Sequence, residues 1–285
     1  MQNYNTKLYP EDQKAKEKFI SDLVKTVTAE FIRRREERVY LERQWELNMN
    51  FLIGNQYCDL SSRGEIVDED KTYFWQNRGV FNHIAPIMET RLAKLSRISP
   101  VISVRPRSDD DTDVTNSVLA EKVIEERFGR SDVAVTVRQA TAWSETCGTS
   151  FYKVIWNADG GNKIGTLDGN PVYEGEVSFI PVSPFEIFPE TLYTESLDGL
   201  RSLIHAKAVD VDDIRRMYGV QVDGEEIDVF SLSGNKTKGS NKAKRTAKNS
   251  AIVIEYYERP TDDYPNGRLI TFRAVNFCIT ANCPT

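Results

Sequence analysis

The chain has 285 residues, enough for one large domain or two ordinary ones, each with its own core. Hydrophobic residues make up 40% and charged residues 28%, a globular balance that is neither fibrous nor wholly disordered. The net charge of −6 does not mark a nucleic-acid binder, and no stretch approaches the ~20 apolar residues of a membrane helix.

The N-terminus, MQNYNTKLYPEDQKAKEKF, carries no apolar region of the secretory kind. Cys58, Cys147, Cys278 and Cys283 form no CxxC, so reduced thiols in a bacterial cytosol are expected. The charge is unevenly spread. Residues 231–250, SLSGNKTKGSNKAKRTAKNS, hold Lys236, Lys238, Lys242, Lys244, Arg245 and Lys248 with no acid. Taking away that +6 leaves −12 elsewhere, so an acidic body with one basic, flexible segment is expected.

Residues 11–53 read as one long helix. Phe19, Leu23, Val27 and Phe31 recur every four residues, and Leu41, Trp45 and Leu52 continue the face up to a stop at Gly54. The run RRREER at 33–38 reads as a solvated, ion-paired face and not as a phosphate site. After a loop, residues 84–98 read as a second helix with Pro86 in its first turn, ended by Pro100. VISVRP (101–106) reads as a short strand. Helices are then expected over 112–128 and from a Ser131 cap to Cys147, with Gly148 breaking the pattern.

Beyond residue 148 the character changes. SFYKVIWN (150–157) reads as a strand, the Gly-rich stretch after it as turn material, and 172–180 as the return strand. VSPFEIFP (182–189), with Pro184 and Pro189, suits an edge strand or bend. Residues 202–209 read as a strand, followed by a short helix capped by Asp210 or Asp212 and ending at Gly219. AIVIEYYER (251–259) is a strand, with Gly267–Phe272 as its partner through Tyr264-Pro265-Asn266-Gly267. Helices first and mostly antiparallel strands later give an α+β plan. The expected regions are a helical 1–148, a β-rich 149–230, a basic flexible loop 231–250, returning strands 251–272 and an aberrant tail 273–285.

The residues offer no catalytic constellation. With only His83 and His205, a His-rich metal site is excluded within one chain, and no GxSxG elbow accompanies them. No GxxxxGK[ST] is present, which argues against an ATP-driven motor. Asp109, Asp110, Asp111 and Asp113 read as acids at a helix start, lacking the Gly and distal Glu of a calcium loop. Trp143, Trp156, Phe185, Phe188, Tyr256 and Tyr257 read as core or interface packing and not as base-stacking platforms. The six basic residues of 236–248 are candidates for phosphate contact, set against a merely solvated loop. No cofactor, metal or enzymatic activity is expected.

Several segments in order resemble the portal proteins of tailed bacteriophages, above all the short-tailed type. They are Trp45-x-x-Asn48-x-Asn50-Phe51-Leu52-x-Gly54-Asn55-Gln56-Tyr57, then Arg78 with Asn82-x-Ile84-x-Pro86, then Gly148–Asn157, then Val182–Pro189. The resemblance runs from about residue 11 to 272. It implies a portal-like, wing-bearing α+β fold, incomplete at its C-terminus, and a non-enzymatic, twelve-subunit ring at a capsid vertex. The implied partners are further copies of the chain, the terminase large subunit, scaffold and capsid proteins, tail or head-completion proteins, and double-stranded DNA passing without sequence specificity. The implied location is the virion, with the host cytoplasm during assembly and no membrane.

Portals of this kind run on for hundreds of residues, whereas the final stretch here, RAVNFCITANCPT (273–285), is aperiodic. Back-translated and read one nucleotide earlier, it becomes GGKLLYYGELPY, similar to the segment portals carry after a strand like Arg268–Phe272. A single-nucleotide frameshift near codon 273 in a prophage-derived gene is therefore expected. It would leave strand 251–259 or 268–272 with an unpartnered edge. Two other readings stand beside the portal: a nucleic-acid-binding accessory protein using the basic segment, and another capsid or tail adaptor.

Overall fold

A helix that must cover a sheet needs a continuous stripe at spacings of three and four. In the computed structural model that stripe on the first helix, α1 (Gln13–Ile53), is longer than its apolar residues alone indicate. Its buried positions are Val24, Val27, Phe31, Arg34, Arg38, Trp45, Met49 and Asn50. The structure describes residues 13–61, 66–68, 75, 79–97, 102–129, 131–167, 170–194, 196–237, 240–262, 264–273 and 279–280.

The remaining elements follow in order. They are β1 (Cys58–Leu60), β2 (Ile66–Asp68), α2 (Ile84–Leu95), α3 (Asp111–Gly129), α4 (Ser131–Cys147), β3 (Phe151–Asn157), β4 (Lys163–Leu167), β5 (Asn170–Tyr173) and β6 (Glu176–Val182). After a 3-10 turn at Pro184–Glu186 come β7 (Ile187–Pro189), β8 (Ser202–Asp210), α5 (Val211–Tyr218), β9 (Glu225–Thr237), β10 (Ser240–Glu258), β11 (Arg268–Arg273) and β12 (Ile279–Thr280). All described strand pairs are antiparallel, so the fold is α+β.

The chain divides into two units: residues 1–79 with 185–285, and residues 80–184. This differs from the expected regions. The composition shift at 148 is local, whereas the strands that bury α1 lie far later in the sequence, from Ile187 onward.

In the first unit the sheet order is β12-β11-β10-β8-β7, with β9 pairing the N-terminal half of β10. Strand alternation sends Phe188, Ile204, Ala206, Ile254, Ile270 and Phe272 to one face, where they meet Val24, Val27 and Phe31 of α1. The other face carries Ala251 and Val253 against Ile214 of α5, with Val209, Tyr218 and Val222 around them. Asp210 caps α5 by accepting from the Asp212 N–H at 2.8 Å, and Gly219 ends it at φ +68.

Of residues 182–189, expected as an edge strand or bend, Pro184–Glu186 form a 3-10 turn and Ile187–Pro189 sit at the end of the sheet. Their partner on the open side is α1. Arg34 donates to the Phe188 carbonyl at 3.2 Å and to Ser202 Oγ at 2.6 Å. Arg38 donates to the Ile187 carbonyl, to the Phe185 carbonyl at 2.7 Å and to Glu42. Its guanidinium also lies 3.7 Å from the Phe188 ring centroid. The run at 33–38 is thus only half a solvated face. Arg33 is the exposed, ion-paired member, bonding Glu30 and Glu37, while Arg34 and Arg38 fall on the buried stripe.

Three further expectations change. The basic segment 231–250, expected as a flexible loop, is strand in its described residues, because β9 and β10 pair from Ser240↔Thr237 to Ser250↔Glu225. A cross-strand partner overrides the low strand propensity of a Ser/Gly/Asn/Lys sequence. Residues 102–106 carry no strand, and residue 101 lies outside the described residues. The unpartnered edge is absent among the described residues: β10 pairs β8 and β11, and β11 also pairs β12 through Thr271↔Thr280 and Phe272↔Ile279. Most of the tail 273–285 lies outside the described residues.

In the second unit, α4 buries Val133, Thr136, Ala140, Trp143 and Cys147 along one stripe. Arg91 of α2 holds Glu145 of α4 with two bonds of 2.7 and 2.9 Å. β3 and β6 form a hairpin whose end carries the β4–β5 hairpin. The outer carbonyls of β6 are covered: Arg127 donates to Val177 at 2.9 Å and Thr136 to Phe179 at 3.3 Å. Gly175, at φ +78, lets the Trp156 ring lie flat on the backbone, since a Cβ there would fall 2.1 Å from Cζ2.

Replacing Arg38 with alanine strips two buried carbonyls and one carboxylate of their donor. It is expected to cost about 3–5 kcal/mol, whereas Arg33→Ala, at an exposed pair, costs about 1 kcal/mol or less. Urea unfolding of the two variants measures the contrast, and equal losses would refute the buried clamp.

Candidate functional site

Five of the six candidate phosphate contacts lie along one hairpin, and its register separates them. Lys236 pairs with Asn241 and Lys242 with Asn235 across the two strands, while Lys238 lies outside the described residues. Lys244 is opposite Phe230, Arg245 opposite Val229 and Thr246 opposite Asp228. Lys244 and Thr246 therefore share a face with Phe230 and Asp228, and Arg245 takes the other face.

The Lys244 face turns toward α1. Phe230 stacks on Phe185 with centroids 4.0 Å apart, and Phe185 meets Trp45 edge-on at 5.3 Å. Lys244 Nζ binds Asp228 at 2.9 Å, and Thr246 donates to the same carboxylate at 2.9 Å. Those bonds from Lys244 and Thr246 hold the Asp228 carboxyl below its ordinary range. Burial pushes the Glu46 carboxyl up, opposed by the charge of Lys244 and reinforced by Asp228 and Glu42. Lys244 is thus committed to acids of its own unit. Arg245 and Lys248 are exposed, and among the described residues neither has an ion pair.

A second constellation joins residues the sequence left apart. His205 is buried on β8 and opposes Ile187 of β7 and Glu255 of β10. Its Nδ1 lies 2.9 Å from Glu255 Oε2 and its Nε2 3.4 Å from Glu186 Oε2. Tyr257 donates to the same Glu255 oxygen at 2.8 Å. The two carboxylates face opposite ring nitrogens, so they cannot converge on one ion, and no metal-holding group of three occurs among the described residues. The available signal was Glu255, an acid in the middle of the otherwise apolar run AIVIEYY. Its cross-strand histidine was not legible without the register.

The other candidates fall into structural places. Asn82, not His83, caps α2 by accepting from Ile84 and Ala85 at 3.0 and 3.2 Å. The aspartates open α3: Thr112 donates to Asp110 at 2.7 Å and Ser108 to Asp113 at 2.5 Å. Trp143 and Phe188 are buried, Phe185 and Tyr256 partly so, whereas Trp156 is exposed. Cys58 donates weakly to the Asn55 carbonyl at 3.1 Å, and burial pushes the Cys147 thiol up to about 12. No helix among the described residues is long and apolar enough to cross a membrane.

No family model matches the chain, and no curated protein matches it.

Two outcomes follow from this geometry. Any DNA affinity of the hairpin should run through its uncommitted cations, so Arg245→Ala and Lys248→Ala each lower the salt slope of binding by about one, while Lys244→Ala leaves it unchanged. Fluorescence titrations over a salt series measure this, and an equal loss in Lys244→Ala sinks the assignment. Alkylation at pH 8 should spare Cys58 and Cys147 in the folded chain and label both in urea, as read by peptide mass spectrometry.

Proposed function

We propose that this chain is a subunit of a phage DNA-packaging portal, a non-catalytic ring at one capsid vertex through which double-stranded DNA passes. The ordered portal-like segments between residues 11 and 272 support the reading. The single structural observation that carries it is the apolar surface left on the unit 80–184. Leu119, Val123, Val154, Trp156, Ile164 and Leu167 are each between 59% and 68% exposed. Isolated surface leucines are ordinary, but this many large apolar side chains on one small unit are what an assembly buries. A cyclic ring does so through head-to-tail contacts between unlike faces of neighbouring copies.

In this role the chain would dock the terminase large subunit during packaging, and scaffold, capsid and tail or head-completion proteins in assembly. It would occupy the virion vertex, after a period in the host cytoplasm. Arg245 and Lys248 would meet passing DNA through its phosphates, without reading bases. The uncommitted cations are also the one observation favouring a nucleic-acid-binding accessory protein.

Size-exclusion chromatography with light scattering, followed by electron microscopy, tests the assembly. A ring of about twelve copies, broken by Val154→Glu with Trp156→Glu, is the expected result. A monomer at every concentration would remove the ring reading for this chain and leave the accessory protein.

A further inference from the structure

We propose that Glu186, His205 and Glu255 form a pH-sensitive clamp on the segment by which the chain re-enters the first unit. The chain returns to that unit at Phe185, and Glu186 is the next residue. The turn Pro184–Glu186 leads straight into β7. Three basic side chains hold this short stretch, the first being Arg34 through the Phe188 carbonyl. Arg38 binds the Phe185 and Ile187 carbonyls, and His205 binds the Glu186 carboxylate. Arg38 keeps its proton at any physiological pH. His205 is the one that titrates near neutrality.

The hydrogen-bond inventory fixes the charge the clamp needs. A neutral imidazole carries one N–H, and an ionised carboxylate only accepts. Here carboxylate oxygens face both ring nitrogens, at 2.9 and 3.4 Å. Both bonds exist together only when the ring is an imidazolium. A neutral ring keeps one of them and turns a lone pair on the other carboxylate.

The surrounding groups are consistent with a net anionic setting. From β10, Tyr257 donates to Glu255. From α5, Tyr218 feels the charge of Glu255, which, after burial, raises its hydroxyl pKa. Lys207, two residues along β8, is exposed, and the in-row neighbours Ile187 and Thr271 carry no charge.

The sign follows. The clamp is complete above the carboxylate range and below the imidazolium midpoint. Raising the pH through that midpoint removes the proton, breaks the longer bond to Glu186 and frees the stretch 184–189 to open. Lowering the pH through the carboxylate range loosens it from the other side.

The full chain suits the test, because His83 and His205 are its only histidines. Their ring signals in a carbon–proton correlation spectrum are assigned with His83→Asn. His205 is expected to titrate above the ordinary value near 6.5, and Glu186→Gln is expected to lower that midpoint. Amide exchange at 185–188, corrected for its intrinsic base catalysis, should accelerate about ten-fold across the wild-type midpoint and show no step in Glu186→Gln. His205→Gln should also abolish the step. Should that variant fail to fold, Glu186→Gln, altered at a partly exposed side chain, decides alone. A His205 midpoint at or below 6.5, or protection at 185–188 that is flat across it, overturns the clamp.

Discussion

The first unit depends on two guanidinium groups placed where a helix would ordinarily present leucine. β7 is three residues long and lies at the sheet edge, with carbonyls that no further strand satisfies. A bare edge of this kind must be covered or paired. Arg34 and Arg38 cover it from α1 while their stems and the Phe31–Phe188 contact, 4.8 Å between centroids, continue the apolar seam. Burial pushes both guanidinium pKa values down, and Glu30 and Glu42 oppose that pressure. Arg34 Nε accepts an imperfect arrangement: it makes no hydrogen bond and relies on the Glu30 charge 3.4 Å away. Such a clamp is costly to desolvate, and its return is specificity. In the observed register of α1, Arg34 and Arg38 reach the adjacent carbonyls of Phe188 and Ile187.

The long helix, the extents of α3 and α4, an aspartate cap for α5 at 210 or 212, an edge strand or bend within 182–189 and the β10–β11 hairpin could all be read from the sequence. Each is announced locally, by periodicity, a capping side chain, a proline or a turn glycine. What could not be read is long-range. The arginines of 33–38 look alike in sequence, and burial on the 3.6-residue stripe separates Arg33 from Arg34 and Arg38. His205 and Glu255 are fifty residues apart and meet only through the β8–β10 register. The division into units was hidden for the same reason, since composition reports neighbours in the chain and not neighbours in space.

The two units also differ in how they close. The first has apolar clusters on both sheet faces, each covered by a helix. The second buries one α4 stripe and leaves large side chains on α3, β3 and the β4–β5 hairpin in water. A unit that retains so much apolar surface gains from association in proportion to the area removed from water. That asymmetry is the physical feature on which the proposed role in assembly rests.

The basic segment shows how register changes what composition means. As a loop, its six cations would be equivalent and their summed charge would be the relevant quantity. As a hairpin, alternation gives each cation a face. Lys244 turns to Asp228 and Glu46 beside the Phe185–Phe230 stack, and its charge is absorbed in holding β9 and β10 against α1. Arg245, one residue later, turns the other way with nothing to neutralise it among the described residues. The same sequence therefore supplies both the internal anchor of the hairpin and its outward charge, and the outward share is smaller than the +6 counted from the sequence.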